Sequence, residues 1–199
     1  GVTFIPLDTK DQSVLSQYLT LFADELDKYP PDFIRRMNLK EIVFVRDLRY
    51  KKQKRAAIPD FIQETLFLDI YYGRGNPRYE QHVIHHEIYH MIEEEFNGDV
   101  YFHDPQWASF NPAGFKYGLG GHYYQDFDVT SLTHPRHGFI NRYAMSGLEE
   151  DKAEIFATLW VPDEAKKVYR WAEKDLVLQK KIAYLKRFLA KYSPQLNED

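Results

Sequence analysis

Two histidines four residues apart, His86 and His90, with Glu87 directly after the first, are the residues whose types and spacing most directly imply chemistry. At 3.6 residues per turn the two imidazoles stand about 40° apart on one helix face, one turn from each other. Both can then reach a single tetrahedral ion, and Glu87 beside them can accept a proton from a water on that ion. The chain contains no cysteine, so any metal must be held by imidazoles and carboxylates, and the expected ion is Zn²⁺. A helix used this way needs a second face for the core. With His86 at 0°, Ile84, Ile88, Met91 and Ile92 fall at roughly 140° to 240°, opposite the histidines. His82 lies on the front face one turn earlier and is expected to be a solvated or capping histidine. His85 projects sideways and receives no role.

Two histidines leave a catalytic zinc site one protein ligand short. The pattern HExxHxxGxxH does not supply it, because Glu93 stands at the Gly place and Phe96 at the third His place. The best supplier is the segment from Glu149 to Ala157. On a helix, Glu150, Ala153, Glu154 and Ala157 share one side, while Ile155, Phe156 and Leu159 point the other way. Small alanines between carboxylates allow a close approach, so Glu150 is the expected third ligand. Glu154, one turn later, would orient a ligand imidazole by hydrogen bonding to it. Glu149 and Glu154 remain alternatives to Glu150 as ligand. An acidic first turn also suits a helix N-terminus without any metal, which accounts for Glu149, Glu150 and Asp151 better than for Glu154.

The elements that must position these groups are legible from periodicity and punctuation. Residues 11–28 carry apolar side chains at helical spacing, and Pro30-Pro31 ends that helix. Residues 41–48 and 65–72 read as strands of one sheet, with 73–77 as a turn into a helix over about 78–95. The second strand, just before the metal helix, is a candidate edge for pairing with an extended peptide. Residues 96–142 mix Gly, Pro, Asn, Asp and aromatics without a sustained period and are expected to form a long active-site loop region. Within it, Gly118 to Tyr124 would form a flexible rim or specificity wall, and His122, His134 and His137 are expected to be loop histidines without a ligand role. Helical patterning returns at about 148–160, a new helix starts at Pro162, and an amphipathic helix spans about 174–192. The order predicts an α+β chain, a single catalytic domain over 1–199, with sheet and metal helix in 1–95 and the glutamate and C-terminal helices in 143–199.

The segment from Tyr143 to Glu154 resembles the Y-x(6)-E-x-x-A-E block of the anthrax lethal factor-like metallopeptidases, a gluzincin group that includes the Pro-Pro endopeptidases. With the HExxH, the resemblance covers about 20 residues. It implies a zincin-like fold with a small mixed sheet and zinc-dependent peptide hydrolysis. It places Glu150 as third zinc ligand, Glu154 as the later glutamate of the block, and Tyr143 as the hydroxyl that stabilises the oxyanion. The group usually carries Gly where this chain has Tyr89. The same analogy favours a secreted or exported protein. The competing function is a non-catalytic zinc-binding or protein-interaction domain that keeps a peptidase fold.

Composition bounds the rest. In 199 residues, 44% hydrophobic and 16% aromatic, there is ample material for a packed core. The net charge is −4 with both signs interspersed, and the one basic run, Lys51 to Arg55, reads as a solvated loop between strands. Nucleic acid is therefore not an expected partner, while a peptide or protein substrate is what the resemblance implies; no apolar run approaches the ~18 residues of a membrane span. The chain starts Gly-Val-Thr, as a processed piece would.

Overall fold

The computed structural model describes residues 1–37, 39–98, 103–121 and 131–193. The chain groups into two compact units, Gly1–Glu95 and Phe96–Asp199.

In the first unit, β2 (Glu41–Tyr50) is the hub of a five-stranded mixed sheet. It pairs antiparallel with β1 (Val2–Ile5) and β3 (Gln53–Lys54), and parallel with β5 (Thr65–Asp69). β4 (Ala57–Asp60) pairs antiparallel with β5. The β-branched and aromatic run of β2 suits a pleated, largely covered surface. The basic run forms the tight turn into β3, with Lys51 and Lys52 both at positive φ, as a two-residue hairpin turn requires. β2 bulges at Asp47, another positive-φ residue, where the β1 register slips.

β5 ends at Asp69, short of the expected Tyr72, because the Asp69 carboxylate accepts the backbone N–H groups of Tyr71 and Leu48, each at 2.9 Å. The strand also lies inside the sheet, between β2 and β4, so it offers no edge to a peptide. The edge of the strand order on that side is β4, whose Pro59 is typical of an edge position.

α1 (Gln12–Leu26) buries Val14, Tyr18, Phe22 and Glu25 along one stripe. The rings of Tyr18 and Phe22 meet Phe44 of β2 edge-on, at 5.9 and 5.5 Å. α2 (Pro31–Arg35) follows with proline in its first turn, and its Phe33 stacks on Tyr29. α3 (Pro77–Asn97) carries the HExxH. Ile84, Ile88, Met91 and Ile92 are all buried, but so is the histidine face, so this is an interior helix and not a half-exposed one.

The second unit contains α4 (Pro105–Phe110), α5 (Leu148–Trp160), α6 (Pro162–Ala172) and α7 (Leu176–Tyr192). Asp104 and Asp175 cap α4 and α7 through side-chain bonds to backbone N–H groups. The expected loop region 96–142 thus holds a short helix, and residues 133–140 close on themselves through Thr133 N–H to Ile140 and Phe139 N–H to Arg136.

The core of this unit is partly ionic. Asp151 of α5 and Lys181 of α7 pair at 2.6 Å with both side chains fully buried. Lys181 also donates to the Gly138 carbonyl at 2.8 Å, and the Asp151 carboxylate accepts from Trp107 Nε1 and the Tyr117 hydroxyl. A second buried pair joins Lys152 to Asp104 at 2.9 Å, with the Tyr184 hydroxyl donating to the same carboxylate. Burial pushes the Asp151 carboxyl up and the Lys181 ammonium down, and their mutual attraction opposes both shifts. These contacts fix α5 in place through Asp151 and Lys152, the two residues following Glu150. Among the described residues, no helix is long and apolar enough to cross a membrane.

Candidate metal centre

On α3, the Nε2 atoms of His86 and His90 face each other at 2.9 Å, with their rings nearly perpendicular. Two nitrogens bound tetrahedrally to one zinc at about 2.0–2.1 Å would stand about 3.3 Å apart. The observed separation is within a few tenths of an ångström of that value. The same 2.9 Å is also an ordinary hydrogen-bond distance between the N–H of one neutral imidazole and the bare nitrogen of the other. Exposure of 7% for His86, 9% for Glu87 and 4% for His90 keeps the cluster largely away from water.

His85, which the sequence left without a role, is fully buried and anchors α3. Its Nδ1 meets the Tyr29 hydroxyl at 2.7 Å and its Nε2 meets Glu25 at 2.6 Å. Burial raises Tyr29 well above its ordinary value, so its hydroxyl stays protonated and donates. Burial alone would also raise the Glu25 carboxyl, but hydrogen bonds from His85, Lys28 and Gln81 outweigh it and hold the group at about 2. Burial lowers the His85 pKa against the opposing pull of Glu25. The imidazole is then neutral, with Nε2–H donating to Glu25 and Nδ1 accepting from Tyr29. This fixes the residue directly before His86.

Within the second unit, Glu150 and Tyr143 converge. Tyr143 opens a 3-10 turn, Tyr143–Met145, just before α5. A Cβ on Gly121 would overlap both Glu150 Oε1 and the Tyr143 hydroxyl, so the two polar ends flank one point on the glycine-rich segment. That segment is held by backbone bonds from Gly118 N–H to Met145 (3.0 Å) and Gly120 N–H to Ser146 (2.8 Å), which makes 118–121 a braced wall. Asn141 donates to Glu154 through its amide nitrogen and accepts the Ala144 N–H at 2.8 Å through its oxygen. It thereby ties Glu154 to the turn that carries Tyr143.

Among the described residues, two groups of three side chains are of the kinds that could hold a metal ion. One is His86, His90 and Glu150; the other is His82, His86 and Glu154. The donor set of two imidazoles and one carboxylate suits zinc and equally other divalent transition metals such as iron. His82, expected to be solvated or capping, is only 6% exposed, and its ring lies 6.3 Å from that of His86. Its position one turn before His86 was the available signal. Glu149 is in neither group.

Among the other histidines, His134 pairs with Asp175 at 2.9 Å and stacks on Trp171, while His137 approaches the same carboxylate at 3.5 Å from a largely exposed position. His122 and the end of the expected rim, 122–124, lie outside the described residues. Asn141 is a further residue of this region that sequence patterning did not single out for a role at the site, while Gly121 falls within the expected rim. Compared with known proteins, the chain matches no protein-family model, no curated protein and no solved structure.

Proposed function

We propose that this chain is a zinc-dependent endopeptidase of the gluzincin type, in which His86, His90 and Glu150 hold the ion. The observation that carries the reading is the 2.9 Å approach of the two Nε2 atoms on α3. Such an ion, when bound, polarises a carbonyl and acidifies water. Glu87, next to His86, takes the proton from the attacking water and returns it to the leaving amine. Tyr143 donates its hydroxyl to the carbonyl oxygen as negative charge develops there. Glu154, tied to Asn141, steadies the histidine face. The substrate is an extended peptide or protein segment. The resemblance of the Tyr143–Glu154 block supports these roles for Tyr143, Glu150 and Glu154, and by analogy an exported protein.

A second reading is favoured by the group His82, His86 and Glu154, which is buried throughout. An ion seated there would be structural, and the domain would bind zinc without turnover. The two readings separate in one experiment. Wild type and Glu87→Gln are incubated with a mixed peptide library, and cleavage and bound zinc are measured together. The peptidase reading predicts chelator-sensitive cleavage by wild type, and none by Glu87→Gln at unchanged zinc content. Equal cleavage by both proteins, or none by zinc-loaded wild type, contradicts it.

A further inference from the structure

Two arginines of the second unit, Arg136 and Arg142, line a cavity of about 520 Å³ together with Pro135 and Met145. Arg142 directly precedes Tyr143, and Met145 ends the same 3-10 turn. Pro135 and Met145 provide apolar wall, and the guanidinium groups provide charge.

The frame around this cavity is braced. Arg136 lies in the hydrogen-bonded stretch 133–140, and its guanidinium sits over the Phe115 ring at 5.2 Å. Phe115 in turn packs against the fully buried Phe139, with ring centres 4.4 Å apart. Arg142 is held at the start of its turn by the bond from Met145 N–H to its carbonyl at 3.1 Å. Both arginines are exposed, and among the described residues neither meets a carboxylate. In a chain of net charge −4, two guanidiniums on one cavity without a described acidic neighbour form a local excess of positive charge.

We propose that this cavity is a subsite for a carboxylate carried by the peptide substrate, either an Asp or Glu side chain or the free C-terminus. The inference rests on the peptidase reading and gives its substrate a chemical class. Guanidinium is the cation best matched to carboxylate, because its planar N–H groups can donate in parallel to both oxygens. The cavity volume lies within the usual range for ligand sites, so a residue fits with room for its aliphatic stem against Met145 and Pro135. Arg142 and Met145 flank Tyr143 in sequence, so the cavity shares the turn that the peptidase reading places at the scissile bond.

The test measures binding separately from turnover. Fluorescein-labelled octapeptides of Ala and Gly, with one Glu walked through each position, are titrated against the full chain carrying Glu87→Gln. Their Gln counterparts are titrated in parallel, each peptide in free-acid and C-terminally amidated form, at low and high salt. At low salt, carboxylate-bearing peptides should bind at least about tenfold more tightly than neutral ones, and salt should erode that advantage. A Glu/Gln difference identifies a side-chain carboxylate, and an acid/amide difference identifies a chain end. Adding Arg136→Gln and Arg142→Gln should abolish the preference and leave neutral peptides within about twofold, while Arg142→Lys should retain part of it. Equal binding of acidic and neutral peptides, no binding of either, or a preference that survives the double substitution would overturn the proposal. A carboxylate preference without any cleavage by wild type would sink the peptidase reading and leave the subsite standing.

Discussion

Replacing Glu25 by Gln removes the acceptor that holds His85, and through it the helix residue before His86. Glu25 Oε2 meets His85 and Lys28, and Oε1 accepts from Gln81 at 2.7 Å. Both oxygens face donors, so a Gln amide nitrogen must oppose at least one of them. A carboxyl held at about 2 against an ordinary 4.5 corresponds to on the order of 3 kcal/mol of stability. The sign follows from a depressed folded-state pKa. The contribution is fully present above about pH 4.5 and declines as pH falls, to less than half near pH 3 and close to nothing below about 2. Glu25→Gln should therefore lower the melting temperature by roughly 7–14 °C at pH 7. The gap from wild type should narrow to less than half at pH 3. Thermal melts of both proteins across pH 2.5–7.5, followed by circular dichroism, supply the comparison. A gap that stays constant with pH, or widens in acid, would refute the charged Glu25–neutral His85 arrangement.

Other perturbations have definite outcomes. Gly121→Ala should push Glu150 and Tyr143 off their common point, weakening zinc retention at least about tenfold at a stability cost of about 1–3 kcal/mol; competition with a zinc-sensitive dye measures this, and wild-type affinity would count against convergence there. Lys181→Met strands the Asp151 carboxylate in the core and should cost about 3–5 kcal/mol in denaturant unfolding, whereas Lys181→Met with Asp151→Asn should recover at least half.

Much of the helical framework was readable because its logic is local. The His86–His90 spacing and the Glu150/Glu154 stripe are one-turn relations, and α5 and α6 begin where Leu148 and Pro162 predict. The sheet was harder. β1, β3 and β4 have only 4, 2 and 4 residues, and β4 contains Pro59, so none shows a usable alternation. The strand order depends on pairing between distant residues, which is why β5 looked like an edge and lies between two neighbours. Asp151 reads as a helix-start acid, yet its partner is Lys181, thirty positions away in sequence. His82 reads as a surface residue because burial is a tertiary property that no local pattern around it reveals. The convergence of Glu150 and Tyr143 on Gly121 likewise depends on how the 118–121 segment is bonded to residues 145–146.

The central claim is a metal held on α3, and metal analysis of the purified chain addresses it directly. Zinc per chain is measured for wild type, His86→Ala, Glu150→Ala and Glu154→Ala after dialysis against a weak chelator. Near one zinc in wild type, none in His86→Ala, a large loss in Glu150→Ala and retention in Glu154→Ala is the predicted pattern. Wild type without zinc would contradict the account, and loss in Glu154→Ala with retention in Glu150→Ala would move the ion to His82, His86 and Glu154.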